Sequence, residues 1–262
     1  WFEPASPFRI VGPIYFVGTR GLGAYLIATP NGHIMLDGGM PSSARNIEAS
    51  IRRLGFEPRD IKIILVTHAH IDHAGTVAHF RKLAPAAAVA VMEGDAEILQ
   101  TGGREDPVYG GFLSLRYPAT TPTRVLKDGS TVSLGDITLT AQKAAGHSPG
   151  CTTWITTVTD DGRPYVVVFP GSSNVNPGMR LLVEPSWPGI ADDFRATFQM
   201  LESMKPDVWL GAHTERFSFE SKRTRMENEG VSAWVDPQGF REYVAADKAR
   251  FERLLEKENK RH

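Results

Sequence analysis

The chain has 262 residues, of which 41% are apolar and 23% charged, the balance of a folded globular protein rather than a disordered or fibrous one. Twenty-nine Lys and Arg against 30 Asp and Glu leave a formal charge of -1, which excludes a general field for attracting nucleic acid or an anionic membrane. The longest near-apolar run, 84–92, is too short to span a bilayer, and one cysteine, Cys151, excludes an intramolecular disulfide framework and any cysteine-rich zinc module.

Taken in chain order, the first third reads as strands at 8–11, 14–17, 24–28 and 33–37, with turn signals at Gly21 and Asn31-Gly32. A helix comes next. Ser43 is its expected N-cap, Ile47, Ile51 and Leu54 recur at helical spacing, and Gly55 stands where a C-terminal stop belongs. The β-branched run 61–66 predicts a strand buried on both faces. A short helix at 75–83 and a buried strand at 88–92 succeed it. The stretch 102–122, rich in Gly, Pro and Thr without periodicity, predicts a long surface loop, and loops of that length are uncommon unless functional. Strands at 131–134, 137–141, 152–158 and 165–169 are separated by turns at Asp128-Gly129 and Asp161-Gly162. Phe194, Phe198 and Leu201 mark a helix, and 208–210 a last strand. A C-terminal helix opens on Asp236 as N-cap with Pro237 in its first turn. Its apolar face is Phe240, Val244, Phe251 and Leu254. Strands followed by helices, twice over, predict an α/β or α+β layered protein with helices outside, and 1–262 is expected to form one domain.

The chemistry concentrates after the strand at 61–66, in His68-Ala69-His70-Ile71-Asp72-His73. Imidazole nitrogens and carboxylate oxygens are good ligands for zinc and similar divalent ions. In an extended segment His68 and His70 project to one side, while Asp72 and His73 would sit at the entrance of the following helix. That splay can feed two ions a few ångströms apart. With eight His in the chain, a chance occurrence of this pattern is on the order of one in several thousand. His147, in the turn Gly146-His147-Ser148-Pro149-Gly150, and His213, in Gly211-Ala212-His213, both stand at strand ends beside glycine and complete the candidate ligand set. His33, His79 and His262 are expected to be structural or solvated. Cys151 is expected to be a packed residue beside the ligand loop, since no basic partner is evident.

The run Thr67-His68-Ala69-His70-Ile71-Asp72-His73-Ala74-Gly75, with the His147 and His213 segments in the same order and spacing, resembles the metallo-β-lactamase fold superfamily from about residue 8 to the C-terminal helix. The resemblance implies an α/β fold, a four-layer αβ/βα sandwich with a binuclear zinc cleft at one edge. His68, His70 and His147 would hold the first Zn2+, and Asp72, His73 and His213 the second. Many members, lactonases and thioesterases among them, place a bridging aspartate after the strand that follows the third ligand. Here that strand is followed by Pro170-Gly171-Ser172-Ser173-Asn174, with no acid, and Cys151 stands about twenty residues too early for the subclass with a cysteine ligand. A serine there, together with Asp37-Gly38-Gly39-Met40-Pro41 and Gly150-Cys151-Thr152-Thr153-Trp154, is similar to the third subclass of true metallo-β-lactamases.

Resemblance to that subclass implies zinc-dependent hydrolysis of a β-lactam amide through a zinc-bound hydroxide, with Asp72 as the catalytic residue that orients it. Asp37 is expected to support the ligand loop by hydrogen bonds. Ser172 and Asn174 are expected near the cleft, able to bind a substrate carboxylate. The resemblance also implies a small-molecule substrate, no nucleic-acid or membrane partner, a monomer, and export to the bacterial periplasm. Trp1 stands first, with no initiator Met and no basic-then-apolar leader, as either a removed signal or trimming would leave it. The alternatives are another hydrolase of the same fold (lactonase, thioesterase or phosphodiesterase) and a zinc-binding protein without catalysis, against which the mixed His and Asp ligands argue.

Overall fold

Apolar side chains along the first strands alternate with a period of two, and the alternation sorts them onto two cores. The computed structural model describes residues 1–260, so His262 lies outside the described residues. Strands β1 (Phe8–Val11), β2 (Ile14–Phe16), β3 (Tyr25–Thr29), β4 (Gly32–Leu36), β5 (Ile61–Leu65), β6 (Ala88–Met92) and β7 (Arg124–Leu126) pair in that order into a seven-stranded sheet. Pairing is antiparallel up to β4 and parallel from β4 to β7. Parallel neighbours need crossovers, supplied by α1 (Ala44–Arg53), by α2 (Ile71–Ala74) with α3 (Val77–Leu83), and by the stretch carrying α4 (Ala96–Gln100). Leu26, Met35, Ile64, Val66, Val89 and Val91 face these helices and pack on Ile47, Ile51, Val77, Phe80, Ile98 and Leu99. Tyr25, Ile27, Ile34, Leu36, Leu65 and Met92 point the other way, into the core between the sheets.

The second sheet runs in the order β12-β11-β10-β9-β8. Its strands are β8 (Thr131–Leu134), β9 (Ile137–Lys143), β10 (Thr152–Asp160), β11 (Arg163–Phe169) and β12 (Val208–Trp209), and only the β11–β12 pair is parallel. Helix α5 (Ile190–Ser203) brings Phe194 and Phe198 against Phe251 of α7 (Pro237–Asn259), with ring centroids 5.2 and 5.6 Å apart. Helix α6 (Phe219–Glu229) lies between them in the chain. The layers are helix, sheet, sheet and helix, the expected αβ/βα sandwich. Among the described residues no helix is long and apolar enough to cross a membrane.

Strand ends coincide with the sequence reading or differ from it by one or two residues, the usual fraying. Three differences are larger. The helix expected over 75–83 is two short pieces, α2 beginning at Ile71 inside the ligand motif and α3 at Val77. Ser43 makes no side-chain capping bond, because its backbone is already helical and a 3₁₀ turn over Pro41–Ser43 leads directly into α1. Strand β7 and helices α4 and α6 were not expected. Asp236 does cap α7, accepting the Gly239 N–H at 2.8 Å with Pro237 in the first turn. Lys62 breaks the two-sided burial expected of β5 by pointing to solvent.

The two sheets are joined at one edge, beyond the C-terminal ends of β4, β5, β11 and β12. There Thr152 N donates to Thr67 O at 2.7 Å and the Trp154 indole donates to Val66 O at 3.1 Å. The candidate ligands hang from the loops at this edge.

Candidate metal centre

His68 follows β5 and is fully buried, with its ring centroid 4.6 Å from that of His70, 4.1 Å from His73 and 4.7 Å from His147. His68, His70 and His147 present donor atoms within 4.8 Å of one another, and so do His68, Asp72 and His73. His213, in the loop after β12, joins through Asp72, whose Oδ2 lies 3.5 Å from His213 Nε2 and 3.3 Å from His73 Nε2. The fold thus brings together all six candidate ligands, which are spread over 146 positions of the chain (68 to 213).

Four of the five histidines have one ring nitrogen anchored, which turns the other inward. Asp37 Oδ2 sits 3.2 Å from His73 Nδ1. The same oxygen accepts the Thr67 hydroxyl at 2.8 Å, and Thr67 Oγ1 is then the acceptor facing His68 Nδ1 at 3.2 Å. Asp37 also accepts the Thr67 N–H at 2.7 Å. One buried carboxylate therefore orients two candidate ligands, as expected of Asp37. Its φ of 56°, rare outside glycine, is the backbone strain that aims it there. His147 Nδ1 bonds Asn174 O at 2.8 Å, and His70 Nε2 faces Asp106 Oδ2 at 3.1 Å. Asp106 itself is pinned by the N–H groups of Val108 and Tyr109 at 2.8 and 2.6 Å.

Burial disfavours charge on His68 and His147, and their neighbouring histidines add repulsion: His68 falls well below the ordinary histidine range and His147 to about 3. Burial and the charge of His73 likewise bring His213 to about 4. His73 is the exception. Burial opposes its charge, but Asp72 and Asp37 on either side push it up to about 10. Burial would raise Asp72, yet His73 and His213 hold it below the usual carboxylate range.

The buried Nε2 atoms of His68 and His73 and Nδ1 of His213 have no hydrogen-bond partner. His73 Nε2 lies near Asp72 without forming an aligned bond. An unpaired buried polar atom costs roughly 1–3 kcal/mol. His213 turns its Nε2, not its unpaired Nδ1, towards Asp72, but the other two unpaired atoms belong to rings with centroids 4.1 Å apart at the centre. A cation ligated by imidazole nitrogen and carboxylate oxygen satisfies them, so the residues present fit zinc. His68, His70 and His147 would form one half of the centre, and Asp72, His73 and His213 the other.

The centre opens into a cleft of about 580 Å³. Asn174 lines it and donates its amide to Asn176 Oδ1 at 2.6 Å. Ser172 does not face it: the residue is buried beside Cys151, whose thiol donates to the Ser172 carbonyl at 3.4 Å. That placement differs from the expectation for Ser172: of the residues that follow β11, Asn174, Asn176 and Pro177 line the cleft and Ser172 does not. Cys151 is packed, as expected. His33 is buried against Phe56 and His79 pairs with Glu48 at 3.0 Å, structural roles both. Sequence reasoning missed Asp95, Asp106, Asn176 and Arg216. Asp106 was signalled only by its place in the long aperiodic loop, which also sends Tyr109 and Leu115 to the cleft wall. Trp1 completes the rim, its ring 5.0 Å from that of His213.

Residues 23–162 match the family model of the metallo-β-lactamase superfamily. The native FEZ-1 metallo-β-lactamase from Legionella gormanii superposes with a TM-score of 0.96 at 37% identity, covering 99% of this chain and 98% of that one. BJP-1, a subclass B3 metallo-β-lactamase of Bradyrhizobium japonicum, superposes with a TM-score of 0.93 at 39% identity, covering 99% and 97%. Curated relatives match over shorter stretches. YobT of Bacillus subtilis is 30% identical over 149 residues, 55% of this chain and 60% of its own length. The acyl-coenzyme A thioesterase MBLAC2 of Gallus gallus is 35% identical over 104 residues, 37% of each. The chain therefore belongs to the metallo-β-lactamase superfamily, a zinc-dependent hydrolase built over its whole length as the B3 enzymes are.

Proposed function

We propose that the chain hydrolyses the amide bond of β-lactam antibiotics with two zinc ions per chain. The observation that carries the reading is the donor set itself: five histidines and Asp72 converge at the cleft, and the turn after β11 supplies no bridging acid. Whole-chain likeness to the B3 enzymes supports the same substrate class. Zinc held there supplies Lewis acidity, which activates water for attack at neutral pH and polarises a carbonyl.

The chain's own residues do the rest. Asp72 lines the cleft as an ionised carboxylate, placed to accept a hydrogen bond from the attacking water and hold it towards the lactam carbonyl. Asn174 and Asn176 offer amide groups on one wall. Arg216 is the one Lys or Arg side chain lining the cleft among the described residues; its guanidinium pairs with Asp247, and its remaining donors would be the cationic partner for the carboxylate that penicillins and cephalosporins carry. Tyr109, Leu115 and Trp1 form an apolar rim that excludes water around the bound ring system. Action as a monomer in the periplasm, with a role in antibiotic resistance, belongs to the same reading.

Ring opening of a penicillin, a cephalosporin and a carbapenem is followed with zinc, with and without chelator. Chelator-sensitive turnover, lost in His68→Ala and His213→Ala, is expected. Absence of turnover on all three by protein carrying zinc would overturn the substrate assignment. Attention would then turn to thioesters and lactones, which the shorter curated matches, MBLAC2 among them, support.

A further inference from the structure

Asp95 lies in the turn between β6 and α4, holds no place in the ligand set and is completely buried. Its three bonds all go to the two ligand loops. Oδ2 accepts the Ala69 N–H, between His68 and His70, at 2.7 Å, and also the Ser148 hydroxyl, next to His147, at 2.8 Å. Oδ1 accepts the Gly150 N–H at 2.6 Å. The loop after β5 and the loop between β9 and β10 belong to different sheets, and this carboxylate ties one to the other directly behind the first three ligands.

The surroundings are built for that contact. A Cβ on Gly150 would come within 2.4 Å of Asp95 N, and one on Gly94, whose φ is +93°, within 2.7 Å of the Pro149 carbonyl carbon and oxygen. Both glycines are required for the turn and the loop to touch. Ala69 is gripped from the other side too, its carbonyl accepting the Tyr117 hydroxyl at 2.5 Å. Burial pushes the Asp95 carboxyl up, and the three donors, with His70, work against that.

We infer that Asp95 is a positioning residue for the three-histidine half of the centre, setting the distance between His147 and the His68–His70 pair and hence that half's affinity for zinc. Asp37 serves His68 and His73 but makes no bond to the His147 loop among the described residues. The two acids therefore divide the centre, and their loss should be felt in different halves. This inference rests on the metal reading of the cleft but not on the substrate.

Asn in place of Asp95 keeps the shape and fails chemically. Three donors converge on a group that offers only acceptors, so whichever way an amide is turned its NH2 meets a donor. Zinc affinity is measured by competition with a chromophoric chelator for the unaltered protein, Asp95→Asn, Ser148→Ala and His147→Ala, with the melting temperature of each metal-free form recorded alongside. Asp95→Asn should weaken one of two binding steps by about 10–100-fold, and Ser148→Ala the same step by less. In the His147→Ala background, made as a double variant, Asp95→Asn should add much less than its loss alone, since the distance it sets to His147 no longer matters. Unchanged zinc affinity beside a lowered metal-free melting temperature would overturn the inference, as would losses that add fully in the double variant. Absence of zinc binding by the unaltered protein would remove the metal reading itself, whereas zinc binding without β-lactam turnover would leave this inference standing. Ser148→Ala removes a single bond and keeps the test decisive if Asp95→Asn does not fold.

Discussion

The two halves of the centre share a cleft and differ in how they meet a cation. His68 and His147 are held neutral by burial and by their neighbours, so these two offer imidazole lone pairs with nothing to displace, while His70 is anchored on Asp106. The other half carries the charge. Asp72 and Asp37 flank His73 and hold a proton on it up to about pH 10. A metal entering there must displace a proton from His73, while His68 and His147 have none to give up. Preformed neutral ligands favour tight holding, and a charged ligand open to the cleft favours handling of substrate and water.

Asp72→Asn breaks this contrast most severely. The amide keeps the volume but loses the negative charge that faces His73 and His213. If Asp72 orients the attacking water, kcat for β-lactam opening should fall by about 10²–10⁴-fold, with KM changed far less. Steady-state kinetics at saturating zinc checks this. Retention of kcat within a few-fold would move the orienting role elsewhere.

The pH dependence of the metal-stripped protein sharpens the same contrast. In the unfolded chain each histidine titrates near its ordinary value of about 6.5. His147 and His213 are lowered to about 3 and 4 in the folded state, so the unfolded chain takes up their protons first, and stability falls as pH drops from about 6.5 towards those values. His73 has the opposite sign. Its contribution is complete below about 6.5 and is lost as pH climbs through about 10. The melting temperature of the chelated protein should therefore peak near pH 6.5 and decline on both sides. Zinc, by replacing the His73 proton, should flatten the alkaline arm. Asp72→Asn should shrink that arm in the stripped protein as well, because one of the two acids beside His73 has gone. An alkaline arm unchanged by zinc would contradict the division of charge described above.

Legibility in the sequence depended on range. The ligands could be read because histidine and aspartate crowded at such close spacing after a β-branched run point to a shared cation, and the sheets could be read from alternating apolar residues. Asp37 was legible because it lies in the Asp-Gly turn that the resemblance covers. Asp95 was not: in sequence it is an acid just past a predicted strand, in a stretch with no assigned element, and its role exists only because two distant loops bring it the Ala69 and Gly150 N–H groups and the Ser148 hydroxyl. Helix α6 escaped for a different reason. It has almost no apolar stripe and is secured by Phe219 and by the buried Lys222, whose ammonium sits 2.8 Å from Asp236 and over the Trp209 ring. A lysine as a core residue gives no periodic signal. Ser172 was misplaced because the direction of a side chain in a tight turn depends on backbone angles that composition does not encode.

The smallest expected effect separates a local sequence rule from its tertiary context. Read as an N-cap, Ser43 should stabilise α1, and its replacement by Ala should cost about 1 kcal/mol. In the structure its backbone lies at φ −82° and ψ −10°, already helical, and its hydroxyl is buried without a partner among the described residues. Ser43→Ala then removes an unsatisfied polar atom and leaves a shape that fits, so stability should hold or rise by up to about 1 kcal/mol. For a chain of this size each kcal/mol corresponds to about 2–4 °C in melting temperature. An unchanged or slightly raised value by calorimetry supports the buried orphan, whereas a fall of that size would restore the capping role. Because α1 packs on the far side of the first sheet from the inter-sheet core, the substitution should leave β-lactam turnover and zinc affinity unaltered. It thereby measures helix entry alone, without disturbing either half of the metal centre.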